Sequence, residues 1–148
     1  LPVVGLYKAI YGINPLYNRL YLKPRLPAKL SGTELIYNFR NDKLKIGLTT
    51  NNYSVSNDQF KITSSKDFGF YSNKNEIFYF NSNNENFSIA AKAVDKTNLS
   101  LEILKCENDE INWNQVLTEK QKKIFYTISN LEKNRNYSVT VDNKVILT

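Results

Sequence analysis

The sequence predicts an all-β protein: an antiparallel two-sheet β-sandwich, jelly-roll-like, fronted by a proline-containing strap. Three observations carry that prediction. From Thr33 onward, apolar residues recur with period two, as on strands with one buried face. Between these runs lie turn-forming clusters of Asn, Ser, Lys and Asp, such as "SNKNE" at 72–76 and "NSNNEN" at 81–86. Nowhere does a stretch of about 12 residues show a strong 3.6-residue apolar period. At 148 residues the chain is long enough to bury a core of its own.

At the front, Pro2–Ile13 spaces Val3, Leu6, Tyr7 and Ile10 at helical intervals and is stopped by Gly12, so a short helical stub is expected. A strap follows, Tyr11 to Leu30, holding three of the four prolines (Pro15, Pro24, Pro27) and four basic residues with no acid. Proline fixes φ and lacks an N–H, which argues against a helix or an inner strand here. The expected organisation is therefore residues 1–30 as strap and stub and 31–148 as the sandwich. The firmest element is a hairpin. Leu35, Tyr37 and Phe39 share one face, as do Leu44, Ile46 and Leu48, and a turn at Asn41-Asp42 would pair Phe39 with Leu44, Tyr37 with Ile46 and Leu35 with Leu48. That register sets Arg40 against Lys43.

Further strands are expected at Phe60–Thr63, Phe68–Ser72, Ile77–Asn81, Phe87–Val94, Leu99–Lys105, Ile124–Ser129, Tyr137–Val141 and Val145–Leu147. Asn114–Lys123 is the one candidate helix, with thin apolar content in Val116 and Leu117. The chain starts at Leu1 and contains no Met, which suggests a piece of a longer protein. No leader and no run approaching about 18 apolar residues is present, so no membrane partner is expected, and the compartment stays open between cytoplasm and export from a bacterium. The 21 asparagines and frequent lysines read as the bias of an AT-rich genome, and the sequons at Asn52, Asn86, Asn98 and Asn136 follow from that composition.

Charge is uneven. The net +6 resides in residues 1–45, where eight basic residues face two acids, while residues 46–148 balance twelve against twelve. A nucleic-acid surface would want bases and aromatics interleaved on one sheet face, which a proline-broken strap does not offer, so no nucleic-acid partner is expected. With no His in the chain, the usual general bases and catalytic triads are missing, and the single Cys106 has neither a disulfide partner nor a neighbouring base. No zinc set, transition-metal set or phosphate loop is legible, and no cofactor is expected. The acids in "ENDE", Glu107–Glu110, crowd one turn instead of flanking a cleft. Trp113, set among amides and acids in "NDEINWNQ", is the candidate sugar-contacting aromatic, with packing as its other reading.

"GINPLYNRLYLKPRLPAKLSGTELIYNFRNDKLKIGLT", Gly12 to Thr49, resembles the junction that follows the (α/α)6 barrel in glycoside phosphorylases of the cellobiose, chitobiose, maltose and trehalose type and in related glycoside hydrolases. The matching positions are Gly12, Ile13, Pro15, Leu20, Leu22, Pro24, Leu26 and Pro27, with Arg25 completing "PRLP". The end, "ISNLEKNRNYSVTVDNKVILT", is similar to the last hairpin of such C-terminal sandwiches, and the middle carries no likeness. The resemblance implies a non-catalytic accessory domain braced against a barrel of the same parent chain. Leu20, Leu22, Arg25 and Leu26 are then the expected interdomain contacts, with catalysis in the barrel and no catalytic residue carried over. Two other readings stand beside it: a carbohydrate-binding module using Trp113, and an extracellular sandwich that binds protein.

Overall fold

The computed structural model describes residues 10–73, 75–84, 86–94, 99–107, 109–116 and 123–147. Among these residues the strands, in chain order, are β1 (Ile13–Leu16), β2 (Arg19–Leu22), β3 (Thr33–Phe39), β4 (Asp42–Leu48), β5 (Tyr53–Ser56), β6 (Phe60–Ser64), β7 (Phe68–Asn73), β8 (Glu76–Asn81), β9 (Ser88–Ala93), β10 (Leu99–Glu107), β11 (Glu110–Val116), β12 (Ile124–Ser129), β13 (Val139–Val141) and β14 (Lys144–Leu147). Two sheets of six strands carry the fold, ordered β1-β2-β7-β8-β9-β12 and β11-β10-β6-β5-β4-β3, and β13-β14 stands as a separate hairpin. This is the expected sandwich, with one departure from antiparallel order. The chain leaves the second sheet after β6, runs through β7–β9 in the first, and returns as β10 parallel to β6.

One core lies between the sheets. Leu20, Leu22, Phe68, Phe70, Ile77, Tyr79 and Ile89 from the first meet Leu44, Ile46, Leu48, Val55, Ile62 and Leu101 from the second, all at 2% exposure or less. The Phe60 and Phe70 rings bridge the layers with centroids 5.8 Å apart. A bulge in β10 between Ile103 and Lys105 resets its alternation. Leu99, Leu101 and Ile103 point inward, the extra residue Leu104 is pushed out, and Cys106 becomes the next buried side chain.

The strap is corrected by the structure. Residues 13–22 form a β-hairpin, and β2 is an inner strand between β1 and β7. Pro15 is tolerated because β1 is the outermost strand, where a missing N–H on the open side breaks no ladder. Pairing runs on past the strands, from Lys23 N–H to the Gly12 carbonyl (2.9 Å) and from Arg25 N–H to that of Ile10 (3.2 Å). Gly12 sits at φ +62°, and a Cβ there would fall 2.0 Å from the Lys23 carbonyl oxygen, so this seam needs glycine. Of the expected helical stub, residues 1–9 lie outside the described residues and Ile13 belongs to β1. Of the other candidate helix, Asn114–Val116 belongs to β11, and residues 117–122 lie outside the described ones.

The β3–β4 hairpin forms, with its register displaced by two. Phe39 pairs with Asp42, Tyr37 with Leu44, and Leu35 with Ile46. The turn is Arg40-Asn41, both left-handed at φ 50° and 68°, as a two-residue type I′ connection requires. A shift of two preserves the inward face, so the alternation survives while the partners change. Lys43 now faces Asn38 instead of Arg40, and Lys45 reaches Glu34 at 3.4 Å on the outer face. The β13–β14 turn, Asp142-Asn143, has the same handedness at φ 49° and 64°.

Candidate functional site

The sandwich is open at the end where β6 turns into β7, β8 ends and the bulged part of β10 passes. A cleft of about 560 Å³ lies there between the two sheets. Its floor is built by strand phase. Ser64 continues the inward series Phe60, Ile62 on β6, while Tyr79 and Asn81 continue the series from Ile77 on β8. At these positions the apolar core gives way to groups that hydrogen-bond across the layers. The Ser64 and Tyr79 hydroxyls are 2.8 Å apart and buried, and Asn81 Nδ2 donates to the Cys106 carbonyl. Asn81 Oδ1 also accepts from the Asn83 backbone N–H at 2.8 Å, shaping the loop on that rim.

Burial sets the chemistry of these groups. The Tyr79 phenol is pushed well above the ordinary tyrosine range by burial, with the Ser64 hydrogen bond acting in the other direction. Burial, helped by the Glu107 charge, pushes the Cys106 thiol up to about 12, so it is protonated at neutral pH and a weak nucleophile. Tyr53, half-buried on the β5 wall, is raised by burial and by the Asp67 carboxylate, against the opposing Arg25 charge. No group of three or more His, Cys, Asp or Glu side chains placed to hold a metal ion occurs among the described residues.

The residues expected to form an interdomain surface are dispersed. Leu20 and Leu22 are fully buried in the sandwich's own core, which corrects their assignment as contacts for another domain. They belong to a strand with sheet neighbours on both sides, whereas Leu16 and Tyr17 at the β1–β2 turn are the exposed apolar residues of the strap. Leu26 packs half-buried against the same core. Arg25 comes to the rim of the cleft, where Nη1 lies 3.4 Å from Asp67 Oδ2. The neighbouring cations are engaged too. The Arg19 guanidinium lies 4.0 Å from the centre of the Phe80 ring, and Arg40 Nη1 donates to the Tyr17 carbonyl.

Trp113 packs at the edge of the core and does not line the cleft. It sits half-buried on β11 opposite Ile103, its ring centred 5.1 Å from that of Tyr126 on β12 and tilted by 53°. Together they close one side of the sandwich, and the Tyr126 hydroxyl donates to Gln115 Oε1 at 2.8 Å. The acids of "ENDE" ring the β10–β11 turn, where Lys105 Nζ reaches Glu110 at 2.8 Å and Glu107 at 3.8 Å.

The cleft residues Tyr53, Ser64, Asp67, Tyr79 and Asn81 escaped sequence reasoning. A signal existed: Ser64, Tyr79 and Asn81 are polar groups on inward strand phase. The fold thus defines the class, an all-β two-sheet sandwich with a polar cleft at one open end. Comparison with protein-family models, curated proteins and solved structures finds no match to this chain.

Proposed function

We propose that this chain is a non-catalytic C-terminal accessory domain of a carbohydrate-active enzyme, a glycoside hydrolase or phosphorylase, and that it packs against an (α/α)6 catalytic barrel of the same parent. The resemblance of Gly12–Thr49 supplies the kind of partner. The observation that carries a docking role is the β13–β14 hairpin. It pairs with neither main sheet, and Val141, Val145, Ile146 and Leu147 are 51–64% exposed. An isolated two-stranded hairpin is marginal in water, and apolar side chains on it favour a partner that covers them. The contact surface in this reading is the hairpin, in place of the strap.

The test is to co-express the 148-residue chain and the catalytic region encoded upstream of it as separate polypeptides. Co-purification is expected, and V145D/L147D should abolish it while leaving the sandwich's own thermal transition in place. A reading frame without a barrel, or a barrel that neither binds the chain nor gains stability from it, overturns the proposal.

A further inference from the structure

The cleft at the open end has no part in hairpin docking, and its chemistry points to a ligand. We infer that it is a binding site for a neutral, hydroxyl-rich molecule, in chemical class a sugar residue or short oligosaccharide. Four features carry this. The volume, about 560 Å³, falls within the range of small-molecule sites. The floor is held rigid from both sheets by the Ser64–Tyr79 and Asn81–Cys106 hydrogen bonds, so the site is formed before any ligand arrives.

The third feature is charge balance. Lys66 and Lys105 line the cleft with Asp67 and Glu107. Arg25 already neutralises Asp67, and two glutamates already neutralise Lys105. Such a site offers donors and acceptors of both kinds but no net field to select an anion or a cation, which suits hydroxyl groups that donate and accept in turn. The fourth is Tyr53. Its ring and the bulge residue Leu104 give the cleft apolar area, and its half-buried hydroxyl makes no hydrogen bond among the described residues. A sugar residue presents that mixture: an apolar C–H face and a rim of hydroxyls. Trp113, the aromatic singled out by sequence, is not among the lining residues.

The experiment titrates the free 148-residue protein, ¹⁵N-labelled, with cello-, malto-, xylo-, manno- and chito-oligosaccharides, and with inorganic phosphate and tetramethylammonium as charged probes. Saturable shifts are expected for at least one neutral sugar, centred on the amides of Tyr53, Asp67, Asn83 and Lys105. Y53F and D67A should each weaken that binding about tenfold, the loss of one hydrogen bond. W113F should leave it unchanged. Circular dichroism establishes that each variant is folded. Absence of shifts with every sugar, shifts centred elsewhere, or preference for either charged probe overturns the inference, and none of these outcomes bears on whether the hairpin docks a barrel.

Discussion

The Ser64–Tyr79 pair shows how little a buried hydroxyl tolerates the loss of its neighbour. Ser64 Oγ has further partners, accepting from the Lys66 backbone N–H (3.3 Å) and lying 3.2 Å from the Lys66 carbonyl, whereas Ser64 is the one hydrogen-bond partner of the Tyr79 hydroxyl among the described residues. S64A therefore strands a buried phenol and is expected to cost about 1–3 kcal/mol, while Y79F leaves Ser64 with its local bonds and costs about 1 kcal/mol. The double variant should be less destabilised than the sum of the two, as chemical denaturation can measure. Cys106 makes a second prediction at this scale. Its thiol titrates at about 12 when folded, against an ordinary 9.0. Above pH 9 the unfolded chain releases that proton and the folded one keeps it, so stability is full below pH 9 and falls as pH rises, at most by about 1.4 kcal/mol per pH unit. Tyr79, raised from an ordinary 10.0, steepens the fall above pH 10. Urea denaturation of the parent and of C106A between pH 8 and 10 should show the decline beginning near pH 9 in the parent alone.

Elements were legible in the sequence where one face is wet and illegible where neither is. On β4 and β6, buried Leu44, Ile46, Leu48, Phe60 and Ile62 alternate with exposed or half-exposed neighbours, so period two reads plainly. On β2, Leu20, Tyr21 and Leu22 are buried in succession, and no alternation exists to be read. Tyr21 is covered on the outer face, its ring lying over Gly69, where a Cβ would stand 2.5 Å away. Pro15 pointed away from a sheet because sequence cannot distinguish an edge strand from an inner one. Turn handedness was equally hidden, since Asn41 follows a long charged residue instead of forming Asn-Gly, and the register slipped accordingly. The cleft was least visible of all. Its walls come from β5, the β6–β7 turn, β8 and β10, which only the parallel β6–β10 crossover brings together.

For the whole molecule, the decisive property is that both sheets share one core, and the front hairpin is part of it. Ile13, Leu20 and Leu22 are at most 1% exposed within the same cluster as Phe68, Phe70 and Leu101. Burial of three such side chains contributes roughly 5–9 kcal/mol, comparable with the entire stability of a typical domain. Removing β1 and β2 would also unpair β7 on one side at Phe68–Phe70, leaving it held by β8 alone as a new sheet edge. A fragment starting at residue 31, where sequence alone drew the domain boundary, is therefore expected to lack a cooperative thermal transition and to aggregate. The intact chain should unfold in one step, followed by tyrosine fluorescence and far-UV circular dichroism together. Equal thermal midpoints for 31–148 and the full chain would show instead that the hairpin is an appendage on a sandwich complete without it.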